Sequence, residues 1–225
     1  MEDGGATQRA VAADAVRAGL EARADVLRIP SATLEIYVLR DFLSASECMG
    51  LNRLIDANRM PSQLLAPAAD PDFRTSESCN LDPGARIVIQ VENKIAALTG
   101  IDPALGEAIQ GQRYAVGQQF KPHHDFFHPG EPYWDDMQRT GGQRTWTAMV
   151  FLNVPDEGGE TFFPEAGVKV TPRTGNLLIW NNMDGDGHPN PASLHQGMPV
   201  LAGTKYVITK WYRERPWSYA PVATY

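Results

Sequence analysis

The sequence predicts an α+β fold that is mainly β: a double-stranded β-helix, or jelly roll, supported by helices at its N-terminal end. Two observations carry this expectation. After Gly106 the chain breaks into eight short β-type runs separated by Gly, Pro and Asn turns, the texture of a sandwich or barrel. Before Gly106 the apolar residues recur at helical spacing instead.

Taken in order, residues Thr7 to Leu27 are rich in Ala, Arg and Glu with loosely spaced Val11, Val16, Leu20 and Leu27, which reads as an exposed or lightly docked helix. Pro30 breaks it, and Leu34 to Leu39 reads as a strand. Ser44 followed by Glu47 forms a capping-box pattern, and Leu51, Leu54 and Ile55 supply the stripe of the helix it opens. From Met60 to Leu81, Pro, Ala, Ser and Asp predict loop, with an extended piece around Phe73 to Ser78. Asp82 and Pro83 open another helix that Gly100 closes. The predicted strands are then Gly111–Val116, Gln119–Phe126, Thr145–Leu152, Thr161–Phe163, Val168–Val170, Asn176–Trp180, Ser193–His195 and Lys205–Tyr212. The expected organisation is a helical extension over residues 1–30 and one domain over 31–225.

The chain has 225 residues, 43% hydrophobic and 21% charged, enough apolar material for a sizeable core. A net charge of -7 makes general nucleic-acid or anionic-membrane binding a poor reading. Cys48 and Cys79 are isolated and form neither a disulfide framework nor a metal cluster, which suits a reducing compartment. The acidic N-terminus lacks the apolar run of a signal peptide, and no stretch is long enough to span a bilayer, so the expected location is the cytoplasm.

Function concentrates in RYAVGQQFKPHHDFF. His123 and Asp125 are two residues apart, and in an extended strand they share a face. An HxD pair alone is a weak signal. A distant histidine would complete a two-His, one-carboxylate set, which binds Fe(II) on one face and leaves positions open. His195 supplies it. Of the other histidines among the five, His124 and His128 read as structural or entrance residues, and His188 as a solvated loop residue. Lys205 lies ten residues past His195, on what would be the next strand. A lysine pointing into a barrel needs an anion; taken alone, lysines such as Lys205 and Lys210 are more often on the surface. Trp146 and Trp180 are assigned to packing; Trp211, in the final strand, could line the pocket, with a core position the favoured reading.

These stretches, with GGQRTWTAMVFLN, EGGETFFP, GNLLIW, DGHPNPASLHQGMPVLAGTKYVITKWYRERPW and the earlier DFLSASEC and RTSES, resemble the collagen-type prolyl 4-hydroxylases among the 2-oxoglutarate/Fe(II) dioxygenases, from about Leu34 to Trp217. The resemblance implies Fe(II) on His123, Asp125 and His195, and 2-oxoglutarate held at its distal carboxylate by Lys205 with Tyr114 and Thr161. It places Arg74 and Ser76 of a covering loop near the substrate, and Arg144 near the peptide groove, with a surface ion pair as the equal alternative for Arg144. It implies O2 as co-substrate, ascorbate as a rescuing reductant, and C4 of a prolyl residue in a peptide or protein as the target. A free amino acid or small natural product is the alternative target. A non-catalytic metal-binding sensor is the alternative from another class, and the carboxylate anchor argues against it. The chain departs from the pattern at Gln196 after the last histidine, in the HPGEPYWDDMQRTGG segment expected as loop, and before Leu34.

Overall fold

The computed structural model describes residues 4–66 and 69–218. In chain order the elements are α1 (Gly4–Glu21), β1 (Val26–Arg28), β2 (Ile36–Leu39), α2 (Ala45–Asn58), β3 (Met60–Pro61), β4 (Glu77–Asn80), α3 (Arg86–Thr99), β5 (Gln110–Tyr114) and β6 (Phe120–His123). There follow α4 (Trp134–Arg139), β7 (Arg144–Phe151), β8 (Glu157–Gly158), β9 (Thr161–Phe163), β10 (Val168–Val170), β11 (Leu177–Asn181), β12 (His195–Gly197), β13 (Val200–Ala202) and β14 (Lys205–Arg213). The strands form an eight-stranded sheet ordered β1-β2-β11-β7-β14-β5-β4-β3, a four-stranded sheet ordered β10-β9-β12-β6, and the β13-β8 pair. The pairings among the described residues are antiparallel.

The large sheet is buried on both faces, which is why its central strands read as nearly continuous apolar runs. Alternation along each strand sorts the residues. Trp146, Ala148 and Val150 of β7, Leu177 and Ile179 of β11, and Ile208 and Tyr212 of β14 pack against α1, α2 and α3. Met149 and Phe151, Leu178 and Trp180, and Val207 form the second core with Phe163, Val168 and Val200. The period of two on β14 therefore sends Lys205 and Lys210 to opposite faces. Lys210, expected at the surface, is buried on the helix side, where its Nζ lies 2.6 Å from Glu92 Oε1 on α3.

Local chemistry sets the helix ends. Ser44 and Glu47 form the expected box: the Glu47 N–H donates to Ser44 Oγ at 3.3 Å and the Ser44 N–H donates to Glu47 Oε2 at 2.8 Å. The third helix starts later than predicted, because Asp82–Ala85 first closes a turn, with the Ala85 N–H on Asp82 O at 3.0 Å. It ends at Gly100 in the left-handed region, φ 68°.

Helix α1 is fastened rather than lightly docked. Ala13, Val16 and Leu20 enter the helix-side core. Arg9 donates to Glu214 and to the Gly187 carbonyl, both at 2.7 Å, and Arg17 pairs with Glu35. Gly187 has φ 79°, and a Cβ there would stand 2.0 Å from the Ala6 carbonyl oxygen, so only glycine lets the 184–188 loop approach the helix. Among the described residues no helix is long and apolar enough to cross a membrane.

Candidate metal centre and substrate groove

His123 ends β6 and His195 opens β12, and the two are register partners across the small sheet. Asp125 lies two residues past the end of β6, so strand alternation does not aim it. Buried Phe126 and Phe127 turn the chain inward, and Gln143 secures that turn by accepting from the Phe127 N–H at 2.6 Å and donating to its carbonyl at 2.8 Å. The Thr147 hydroxyl on β7 then donates to Asp125 Oδ2 at 2.8 Å. Likewise the expected strand Ser193–His195 begins only at His195, because Pro191–Ser193 is a single 3₁₀ turn capped by Asn190.

The three side chains offer ligand atoms that all lie within 4.8 Å of one another. His123 Nε2 stands 4.0 Å from Asp125 Oδ1, and His195 Nε2 stands 3.8 Å from Asp125 Oδ2. The other ring nitrogens are engaged: His123 Nδ1 with the Lys121 carbonyl at 2.8 Å and His195 Nδ1 with the Ser193 carbonyl at 2.9 Å. A carbonyl only accepts, so each Nδ1 carries the proton and each Nε2 presents its lone pair inward. Burial, then the neighbouring His195, holds the His123 imidazole well below 6.5, so it is neutral at pH 7. Burial would raise the Asp125 carboxyl, but His195, His123, Arg144 and the Thr147 hydroxyl outweigh it and keep it ionised. Two imidazoles and a carboxylate on one side of a cavity can hold a divalent cation with its other side open.

The cavity continues inward to Lys205, past Tyr114, Thr161 and Gly197. Lys205 and Tyr114 are register partners on β14 and β5. The ammonium is 2% exposed and meets the rings of Tyr114 and Phe151 at 5.2 and 5.7 Å, with no carboxylate in contact among the described residues. Burial lowers its pKa from 10.5 to about 8. Thr161 Oγ1 is buried with no hydrogen-bond partner. Gly197 leaves room between them: a Cβ there would sit 3.8 Å from the Tyr114 hydroxyl and 3.9 Å from Lys205 Nζ. An ammonium and an unsatisfied hydroxyl at one end of a cavity fit a carboxylate of the size and charge of 2-oxoglutarate.

Outside the histidines a groove of about 520 Å³ runs between the 63–66 segment and the 126–133 segment. Arg74 lies in it, over the Phe120 ring at 4.6 Å, donating to Gln110 Oε1 at 2.7 Å. Burial lowers its pKa, and no carboxylate contacts it among the described residues. Arg144 is both groove wall and ion pair. It holds Glu107 through Nε to Oε1 at 2.6 Å and Nη2 to Oε2 at 2.7 Å, and lies over Trp211 at 4.1 Å. Ser76 is buried, shares a hydrogen bond of 2.9 Å with Ser62, and is absent from the groove lining. His124 lines the groove, whereas His188 is exposed on its loop as expected.

Two features escaped the sequence reading, and a third, Trp211, was its less favoured alternative. Glu107 also accepts from Arg213 Nη1 at 2.9 Å; burial would raise its carboxyl, but Arg144 and Arg213 outweigh burial and hold it ionised. Trp211, favoured as a core residue, lines both the inner cavity and the groove, and its indole N–H has no partner. The segment after Asp125 is not all loop: it contains α4, whose Met137 carbonyl accepts from Arg213 Nη2 at 2.7 Å. Two acidic residues in the α4 first turn and Arg139 in its last were a legible helix signal.

The family model described as 2OG-Fe(II) oxygenase superfamily matches residues 109–213. A probable prolyl 4-hydroxylase 8 of Arabidopsis thaliana is 35% identical over 201 residues, covering 78% of this chain and 67% of the relative. Prolyl 4-hydroxylase 1 of the same plant is 34% identical over 200 residues, covering 80% and 69%. Among solved structures, the 2-oxoglutarate complex of the viral collagen prolyl hydroxylase from Paramecium Bursaria Chlorella virus-1 superposes with a TM-score of 0.64 at 27% identity, covering 79% of this chain and 95% of that one. The matched residues 109–213 contain the metal cluster and the lysine cavity, and the chain belongs to the prolyl 4-hydroxylases of the 2OG-Fe(II) oxygenase superfamily, as a 2-oxoglutarate-dependent dioxygenase.

Proposed function

We propose that this enzyme hydroxylates C4 of a prolyl residue within a peptide or protein, with Fe(II) held by His123, Asp125 and His195 and 2-oxoglutarate anchored by Lys205, Tyr114 and Thr161. The observation that carries the reading is the buried, unpaired Lys205 ammonium in a cavity that opens onto the His-Asp-His cluster. The eight- and four-stranded sheets are read as the two walls of a double-stranded β-helix, with residues 31–225 as the catalytic unit and 1–30 as a helical extension docked on it. When bound, the metal and its co-substrate supply the chemistry that puts one atom of O2 into a C–H bond and the other into succinate, with loss of carbon dioxide.

The chain's own residues do the rest. Lys205 meets the distal carboxylate as a charge-assisted donor, the unpartnered Thr161 hydroxyl adds a contact, and the Tyr114 hydroxyl, which donates to Gln112 Oε1 at 2.6 Å without ligand, would turn to complete the set. Phe163 and Trp180 pack against the His195 ring at 5.3 and 4.9 Å and keep water from that side. Arg74, Arg144 and the Trp211 N–H line the groove as donors and suit the carbonyls of an extended chain, while Phe73, Phe120, Phe126 and Tyr133 offer apolar surface to proline rings. A groove that extends past the cluster favours a peptide over a free amino acid, which a closed cup would suit better. Ascorbate is expected to restore iron after turnover without substrate.

The test is anaerobic incubation with Fe(II), 2-oxoglutarate and a panel of proline-containing peptides, then admission of O2 and mass spectrometry. The expected result is one added oxygen on proline with stoichiometric succinate. Oxidation confined to small molecules would move the reading to the alternative substrate class, and no succinate under any condition would sink it.

A further inference from the structure

Behind Asp125 runs a line of three buried side chains beyond the metal and co-substrate contacts proposed above. The Trp180 indole Nε1 donates to Asn182 Oδ1 at 3.0 Å, Asn182 Nδ2 donates to Thr147 Oγ1 at 2.9 Å, and the Thr147 hydroxyl donates to Asp125 Oδ2 at 2.8 Å. All three are at most 1% exposed. Strand pairing builds the line: Thr147 and Trp180 are register partners on β7 and β11, on the face turned to the cavity. Trp180 also stands edge-on to the His195 ring.

The direction of donation is forced. An indole only donates, so it fixes the amide oxygen of Asn182 toward itself. The amide nitrogen then faces Thr147 and also only donates. The Thr147 oxygen accepts there, which leaves its own proton for Asp125. Every hydrogen bond runs the same way, toward the carboxylate, and such chains polarise one another in a dry interior.

We propose, on the reading of the His-Asp-His cluster as the metal site, that Trp180, Asn182 and Thr147 are positioning residues that commit Asp125 Oδ2 to the protein and leave Oδ1 as its one metal-ligating oxygen. A carboxylate free to swing and chelate through both oxygens would take a coordination position that the co-substrate needs. The relay therefore protects the open side of the metal as well as the affinity for it.

The test compares Thr147→Val, which keeps the shape and deletes the hydroxyl, with Thr147→Ser, which keeps the hydroxyl. Anaerobic titration with Fe(II) or Co(II) alone gives metal affinity, and titration of 2-oxoglutarate into the metal-loaded protein, followed by absorption, gives co-substrate affinity. Thr147→Val is expected to weaken metal binding about 10- to 100-fold and to weaken 2-oxoglutarate binding to the loaded protein, as loss of a supporting partner does. Thr147→Ser is expected to restore both, and Trp180→Phe to fall between. Wild-type affinities in a folded Thr147→Val variant would overturn the proposal, and so would a Thr147→Ser variant as impaired as the valine. A Trp180→Phe variant equal to wild type would remove the indole from the relay. Failure of the wild-type chain to bind one divalent ion would instead refute the metal site itself, so the two failures are told apart.

Discussion

Replacing Lys205 with methionine should make the ligand-free protein more stable while destroying its grip on 2-oxoglutarate. The folded chain holds this ammonium in an apolar cavity at a pKa of about 8, against 10.5 when exposed. At 1.36 kcal/mol per tenfold change, carrying that proton into the fold costs about 3 kcal/mol at pH 7. Between pH 8 and 10.5 the unfolded chain binds more protons than the folded one, so wild-type stability climbs with pH through that window. The remaining penalty at pH 9.5 is about 1 kcal/mol. Lys205→Met deletes the charge and keeps most of the volume. Urea denaturation without ligand should show a gain of about 3 kcal/mol at pH 7 that shrinks toward about 1 kcal/mol at pH 9.5. Calorimetric titration should show 2-oxoglutarate binding weakened about 10- to 100-fold, the worth of a charge-assisted contact. A variant no more stable than wild type at pH 7, or one whose gain does not shrink with pH, would refute the view that Lys205 is an unpaid buried charge awaiting its anion. In wild type, 2-oxoglutarate affinity should also fall as pH rises past 8, because the anchor loses its proton there.

His123→Ala should lower divalent-metal affinity by more than the about 100-fold that a lost supporting partner costs, read by equilibrium titration; near-normal binding would take His123 out of the site. Glu107→Gln should leave Arg144 and Arg213 buried without their anion, costing about 3–5 kcal/mol in urea denaturation and raising the peptide KM more than that of 2-oxoglutarate. Equal effects on both Michaelis constants would separate Glu107 from the groove. Gly187→Ala forces a Cβ to 2.0 Å from the Ala6 carbonyl at positive φ, so it should cost about 2 kcal/mol or more and expose the α1 amides to hydrogen exchange; unchanged exchange over α1 would show that the loop does not pin the helix.

Patterning and spacing made the strand half of the molecule legible. Thr161–Phe163 and Val168–Val170 stand where periodicity and turn residues put them, because each is a short run whose neighbours are turn formers. The His123, Asp125 and His195 set was also legible, although the argument for Asp125 was wrong in detail: the strand stops at His123, and Gln143 and Thr147, distant in sequence, aim the carboxylate. What stayed hidden depends on tertiary neighbours. Lys210 looks like a surface residue until α3 brings Glu92 over it. Glu107 sits in an irregular stretch with no motif, and only the return of β7 and β14 surrounds it with arginines. Helix α1 reads as loosely docked because two of its four buried residues, Ala6 and Ala13, are small and give a weak apolar stripe beside Val16 and Leu20.

Glu107 has one further consequence. A single acid serves Arg144 in the groove wall and Arg213, which in turn donates to the Met137 carbonyl of α4. The groove wall and α4 are thereby tied to one node. Widening the channel for a bulkier chain by changing Arg144 alone would unbalance the charge that seats α4. A laboratory or natural route to a new substrate range has to retune the acid and both of its cations together, which predicts that single-site libraries at Arg144 yield misfolded proteins more often than altered specificity.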